Sequence, residues 1–547
     1  MGAYVFEVTG RDIGTDSDVT FLFAMGRTIS FTDNPRAKTG LKSFDIASQR
    51  IEISAQGVVG SADDQGEIVI ANPPKDIGEA GPWDGLATDY SFKGRQASIY
   101  WVPARVWADK VLVARPRVEQ PVADTTDGTV TFPTLDPRAD LDAPLITSTY
   151  AGDNVAPDGV KGAEDLKGKK RLANFGPVSN FEADKVNAQR VIYQLSETAN
   201  AMPLCVRDGG IPLAASTSRG TLASLQDAAN IPPSGGYDYY SGAEGLFVRL
   251  ANLNAARLTF DATTGSSDAD RTHAQVWKSL RTTYCGTDAG DIDGASVTGM
   301  DTDAPDEAGF LFRDETRKEA VDRVLASLSG FERQNLDGTW SIHRLAAPSG
   351  DPDISLVLVT PDTIMTVIDR AITSPPARAR PSYAADGSPP RKVNVQWGLN
   401  NTVMTPSDFA GSAATRLVDK FKDQWRIESA EDLSVWDPDT STGDFPDAPE
   451  LTVSTGYQPG SDGRTCPHAA TEATRLMTLY GGLKGQFEVS FRPKPDDPLV
   501  LPGKVAKLTW PGHDLDAGPL FVVLQGRLKA EGRIAEASVL LGLQTAA

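Results

Sequence analysis

Short apolar runs of strand length, cut by glycine, proline and aspartate, dominate the hydropathy pattern of this chain. The clearest stretch runs from Thr471 onward. Ala473, Leu476, Met477 and Tyr480 fall at i, i+3, i+4 and i+7, one stripe of a helix that Gly481 and Gly482 end. Phe487, Val489 and Phe491 then alternate strictly, the period of a strand with one buried face. A Leu501-Pro502-Gly503 turn leads into the run 505–510, and 521–524 and 539–543 add two more. The stretch predicts one helix and a β-layer that needs a partner surface.

From Val5 to Gln120 the pattern also reads as β, with runs at 19–25, 51–53, 67–71, 97–101 and 111–114 and an Asn72-Pro73 turn closing the third. Residues 121–158 read as loop, because Asp124, Asp127, Pro133, Asp136, Pro137 and Asp142 break any period. Residues 191–195 and 204–213 predict strands joined through a hairpin, and 247–250 and 256–260 two further strands. Between them, 218–242 reads as a long aromatic loop carrying Pro232-Pro233 and Tyr237 to Tyr240.

A helix is predicted over 273–284 from Val276, Leu280 and Tyr284. Residues 286–305, studded with Asp288, Asp291, Asp293, Asp301 and Asp303, read as a solvated connector. Asp291-Ile292-Asp293-Gly294 brushes against a calcium loop, but Met300 sits where that loop needs an acid. Thr316-Arg317-Lys318-Glu319 is a capping box opening a helix with Val321, Val324, Leu325 and Leu328 on one face. Asp337-Gly338 is a two-residue turn signal between the strands 331–336 and 339–345, with His343 on the face opposite Trp340 and Ile342, where exposure is expected. Residues 375–390 read as a Pro/Ala/Arg linker, and Val393, Val395 and Trp397 begin the last unit.

With 547 residues, 40% apolar and 23% charged, the chain is long enough for several buried cores and has an ordinary globular composition. No run of about 18 apolar residues and no basic-then-apolar start is readable, so neither a membrane span nor a signal peptide is expected. Cys205, Cys285 and Cys466 are too few and too scattered for a disulfide framework or a thiolate metal site. The net charge of −20 repels phosphate and argues against a wide nucleic-acid grip. The exception is the basic cluster Lys167, Lys169, Lys170 and Arg171, which reads as a solvated turn, an ion pair with an acidic neighbour, or a phosphate contact.

Candidate chemistry is sparse. The four histidines, His273, His343, His468 and His513, sit in no zinc-protease spacing; no serine elbow or phosphate-binding loop occurs; and Cys466-Pro467-His468 is too close in sequence for a dyad. No catalytic, cofactor-binding or metal-ligating residue is assigned, no cofactor is expected, and the chain is read as no enzyme.

Three blocks carry a family resemblance. Residues 165–213 include Leu166-Lys167-Gly168-Lys169 and Asn174-Phe175-Gly176; residues 316–345 hold the capped helix and Asp-Gly hairpin; residues 471–543 hold Leu479-Tyr480-Gly481, Pro502-Gly503-Lys504-Val505 and Gly518-Pro519-Leu520-Phe521-Val522-Val523. In order and spacing they resemble the tail hub (baseplate hub) proteins of long-tailed bacteriophages and gene transfer agents. The resemblance implies a mainly β, multidomain chain with a few short helices and tail-tube-like β-barrel domains. The expected divisions are a tube-like β-domain at 1–120, a second β-domain at 121–270, a helix-plus-hairpin domain at 271–374, the linker 375–390 and a tube-like β-domain at 391–547.

It further implies a structural virion protein of the tail baseplate, assembled in the host cytoplasm. Three copies would ring the tail axis, joining the distal tail protein ring to a tip or central fibre protein, with the tape measure protein a further candidate partner. DNA would pass an acidic channel without specific binding. The alternative is a tail-tip adhesin or carbohydrate-binding protein, for which Tyr237, Tyr239, Tyr240 and Trp436 would form the aromatic platform.

Overall fold

The computed structural model describes residues 2–25, 33, 38–53, 59–62, 66–73, 81–124, 126–154, 159–209, 211–252, 258–379, 390–397, 426–435, 441–443, 448–457, 466–481, 486–512, 515–531 and 534–542. Residues 399–403, 413–421, Trp436 and His513, and most of the expected linker, lie outside them.

Seven strands close a first barrel: β1 (Ala3–Asp12), β2 (Asp18–Met25), β3 (Lys38–Ala47), β4 (Glu67–Ala71), β5 (Arg95–Val102), β6 (Arg117–Val118) and β7 (Thr129–Leu135). The circuit runs β1–β2–β3–β4–β7–β6–β5 and returns to β1, antiparallel at every step except β2–β3. Closure removes the free edges that would otherwise invite pairing. Alternation along β1 sends Tyr4, Phe6 and Val8 into the barrel, where Phe6 meets Phe23 at 6.3 Å and Phe132 at 5.4 Å. Strand β7 falls inside 121–158, the stretch expected to be loop. Only two of its apolar side chains, Val130 and Phe132, enter the core; they are hidden between an aspartate turn and Pro133, and tertiary pairing with β4 makes them part of a stave.

Six strands close a second barrel: β8 (Ile354–Val357), β9 (Asp369–Ile372), β10 (Gln486–Arg492), β11 (Val505–Thr509), β12 (Leu520–Glu531) and β13 (Ile534–Gly542). Its circuit is β8–β11–β12–β13–β10–β9, parallel where β8 meets β11 and β9. Strands on the near side of the expected linker thus pair with strands far beyond it. Phe487 and Phe521 meet edge-on at 5.6 Å across the interior. The barrels join where β3 and β12 pair antiparallel from Ser43↔Glu531 to Ala47↔Arg527, and one apolar cluster runs through both.

A β-sandwich lies between them in sequence. One sheet contains Val178–Phe181, Met202–Asp208 and Leu258–Thr263; the other contains Asp184–Asn187, Ile192–Ser196, Ala214–Ser218, Gly236–Gly242 and Gly245–Leu250. Phe181, Val206 and Phe260 of the first face Tyr237, Leu246 and Val248 of the second. The expected hairpin between 191–195 and 204–213 does not form, since those strands fall in opposite sheets. The segment read as a long loop holds both a short helix, Leu222–Gln226, and the strand Gly236–Gly242.

Three helices follow: α1 (His273–Thr283), α2 (Gly294–Asp303) and α3 (Arg317–Ala326). Helix α2 occupies the expected connector. The Asp293 side chain accepts from Ala295 N at 3.0 Å, so an acid that brushed against a calcium pattern is a helix cap. The capping box at Thr316 and Glu319 and the Gly330–Gln334/Trp340–Arg344 hairpin stand as expected. Helix α4 (Pro467–Gly481) lies between the sheet of Lys392–Trp397, Arg426–Glu431 and Glu450–Ser454 and the outer wall of β12. Phe521 and Val523 face the barrel interior while Val522 and Leu524 face α4, which explains an unbroken apolar run in one strand. The chain is mainly β with a few short helices, in several packed units.

Candidate functional site

The seam between the barrels is a built contact. Arg527 reaches Asp45 with Nε at 2.6 Å and Nη2 at 2.9 Å, and Lys529 Nζ lies 3.1 Å from the same carboxylate. Gly526 N donates to Ser48 Oγ and Ser48 N to Gly526 O, each at 2.8 Å. Leu499 N donates to Val113 O at 2.8 Å, so the segment ahead of β11 also crosses the junction.

The helical unit is clamped to the first barrel through a buried carboxylate. Glu332, on the hairpin, accepts from Trp277 Nε1 at 2.7 Å and Arg281 Nε at 3.0 Å, and forms an ion pair with Arg138, whose Nε lies 3.0 Å away; Arg138 also pairs with Asp322. Burial raises the Glu332 pKa, but Arg281 and Arg138 outweigh it and hold the carboxyl below its ordinary range. A second clamp fixes α4: Glu472 takes Arg475 Nε at 2.8 Å and also pairs with Arg344. In the sandwich, Arg207 and Asp261 form a buried two-pronged pair at 2.6 and 2.5 Å. Such ion pairs place partners uniquely, because removing either one leaves the other charged and buried.

The basic cluster is used within the chain. Lys169 Nζ lies 2.6 Å from Asp184, which Arg313 and Tyr150 also contact; Lys167 pairs with Glu164; Lys170 reaches Asp314 O; Arg171 lies over the Tyr150 ring. An acidic neighbouring subunit is not needed to pair it.

Among the described residues, those with potential chemistry do not converge. His273 is fully buried between the rings of Phe310 and Tyr457, its pKa lowered to about 3 by burial and by Arg344. His343, expected to be exposed, stacks on Phe331 at 5.5 Å with its pKa lowered to about 4 by burial, because the unit's packing covers the outer face of its strand. His468 Nδ1 lies 2.7 Å from Asp306. Burial raises the pKa of all three thiols, that of Cys285 to about 11, the opposite of nucleophile activation. Among the described residues no group of three or more His, Cys, Asp or Glu could hold a metal ion, and no helix is long and apolar enough to cross a membrane. Of the expected aromatic platform, Tyr237 and Tyr240 are buried and Tyr239 is half-buried against the sandwich core, while Trp436 lies outside the described residues.

The features that sequence reasoning missed are these clamps. A glutamate at 332 and an arginine at 138 carry no signal in sequence that would pair them.

No protein-family model and no curated protein matches the sequence. Among solved structures, the chain is similar to a tail protein from Neisseria meningitidis MC58 at 8% identity and TM-score 0.43, over 98% of this chain and 96% of that one. It is similar to the 43 kDa tail protein of prophage MuSo2 from Shewanella oneidensis at 9% identity and TM-score 0.38, over 98% and 96%. A chain of the virion of a native gene transfer agent is similar at 11% identity and TM-score 0.38, over 69% of this chain and 85% of that one.

Proposed function

We propose that this chain is a structural, non-enzymatic tail hub protein of a long-tailed phage or phage-derived particle. The observation that carries this reading is the pair of closed barrels in one chain, joined stave to stave by β3 and β12. Three copies around an axis would present six barrels, so a threefold ring could continue a tube of sixfold symmetry. The buried clamps suit that role, since a ring that transmits force along a tail needs units whose relative placement does not drift.

On this reading the ring closes the tail tube, with a distal tail protein ring on one side and a tip or central fibre protein on the other. The tape measure protein would end against it, and assembly would take place in the host cytoplasm. The net charge of −20 would give the channel an acidic lining past which DNA slides by repulsion. Cryo-electron microscopy of the intact particle tests this. Three copies enclosing an acidic channel on the tail axis are expected. Copies at the periphery would overturn the hub reading, and a positively lined channel would overturn the repulsion mechanism.

A further inference from the structure

The first barrel, the hairpin of the helical unit and the segment leading into β11 meet at one cleft. Residues 46–49, 115–116 and 134–137 supply one side of it, and 333–336 and 499–502 the other. Its volume is about 60 Å³, the space of roughly two waters or of a single tetrahedral oxyanion.

Two arginines line this cleft without a carboxylate. Arg115 donates from Nη1 to Asp337 O, and Arg333 donates from Nε to Asn335 Oδ1 at 3.3 Å and from Nη1 to Pro502 O; among the described residues neither forms an ion pair. The Asp337 carboxylate turns instead to Thr339 N at 2.9 Å and Thr339 Oγ1 at 2.7 Å. Elsewhere in the chain, burial works against Arg138, Arg207 and Arg475, but their carboxylates outweigh it and raise the pKa. At Arg333 burial wins over the pull of Asp353 and Asp293 and lowers it, the mark of a cation short of counter-charge. In the same cleft Gln49 Nε2, Gln49 Oε1 and Arg115 Nε are shielded from solvent and have no hydrogen-bond partner among the described residues. Shielded polar atoms left unpaired cost free energy that a bound group of matching polarity recovers.

We propose that this cleft binds one hydrogen phosphate ion, with the guanidiniums of Arg115 and Arg333 and the Gln49 amide as its ligands. An oxyanion fits the excess of donors, and the planar fork of arginine matches phosphate oxygens. The protonated form is selected by Gln49, whose Oε1 needs a donor. Hydrogen phosphate supplies one with its O–H, whereas sulfate, a carboxylate and a phosphodiester have none to give. Asp136 stands on the same wall, its Oδ1 accepting from Arg138 N at 2.9 Å, and its charge further disfavours a fully ionised anion. The net charge of −20 opposes any anion, so the affinity is modest, with a Kd on the order of 1 mM. The bound ion would tie the first barrel to the hairpin, and the inference stands apart from the ring reading.

The test uses the full chain and inorganic phosphate, read by phosphorus NMR line width and by thermal melting, with sulfate at matched ionic strength for comparison. Both salts raise melting by exclusion from the protein surface, so only the excess of phosphate over sulfate reports the site. Phosphate is expected to saturate, and sulfate to bind roughly 10-fold more weakly or less. Gln49→Glu should weaken phosphate binding by roughly 10-fold or more yet melt no lower than wild type in phosphate-free buffer, because a carboxylate in the cleft supplies the missing counter-charge. A glutamine with a merely structural role would not show that opposition. Arg115→Gln should weaken binding as well. A single-stranded oligonucleotide, whose phosphodiesters carry no proton, should not displace phosphate. An unaltered phosphorus line, with water alone filling the cleft, would overturn the proposal. So would sulfate binding as tightly as phosphate, displacement by the oligonucleotide, or binding that survives in either variant.

Discussion

Asp45 of the first barrel and Arg527 of the second face each other across the strand pair β3–β12 in a two-pronged ion bridge, with Lys529 on the same carboxylate. The pair is partly solvated, so it sets register more than stability. The tighter constraint sits one residue away at Gly526, where a Cβ would stand 2.1 Å from Val500 O, a backbone atom that cannot step aside cheaply.

Gly526→Ala should therefore loosen the barrel junction by about 1–3 kcal/mol, against about 1 kcal/mol or less for Asp45→Asn. Hydrogen exchange of the β3 and β12 amides, compared with amides of the sandwich, measures this. Equal protection of the junction in Gly526→Ala and wild type would contradict it.

Glu332→Ala strands Arg138 and Arg281 in a buried site and should destabilise the helical unit by about 3–5 kcal/mol. Because the Glu332 pKa is lowered in the folded chain, its stabilisation is present above the ordinary glutamate value and lost as pH falls through the lowered one. Denaturant titrations in acid should show a shallower loss of stability in Glu332→Gln than in wild type.

His273 titrates with the same direction of outcome for the opposite chemical reason. Its folded pKa is lowered to about 3, so between an unfolded value of about 6.5 and 3 the unfolded chain binds the extra proton, and stability declines as pH falls through that window. The residues around it are Phe310, Tyr457, Arg344 and the His468–Asp306 pair nearby, and both imidazole nitrogens lack a hydrogen-bond partner. His273→Leu should flatten the pH profile in that window relative to wild type; an unchanged profile would show that the imidazole is solvated.

Thr316→Ala removes the N-cap of α3, where Thr316 Oγ1 accepts from Glu319 N at 3.1 Å, and should destabilise that helix by about 1 kcal/mol. Thermal melting compared with Thr316→Ser, which keeps the hydroxyl, isolates the cap from the lost methyl group.

Local chemistry was legible wherever neighbours in sequence are neighbours in space. The capping box at Thr316, the hairpin around Asp337-Gly338, the alternation of Phe487, Val489 and Phe491 and the stripe on α4 each report on a few adjacent residues, and each forms, the hairpin through a loop longer than the two residues expected, since Asn335 N bonds Thr339 O. The helix α2 escaped because its apolar residues Val297 and Met300 are too few to mark a stripe, and β7 because two buried residues beside a proline carry no period.

Closure was decided elsewhere. Whether Ile354–Val357 would lie beside Val505–Thr509, or Lys38–Ala47 beside Leu520–Glu531, depends on the burial that such distant pairing achieves, and alternation along one strand is silent about its partner. By itself the sequence determined the strongly patterned helices and strands, the acidity and the absence of a recognisable catalytic motif. Only the tertiary structure decided that those elements close into two joined barrels, that Glu332 gathers arginines from two units, and that five apolar side chains on the β8–β9 crossover remain outside. Burial is a property of the whole packed chain and of no segment within it.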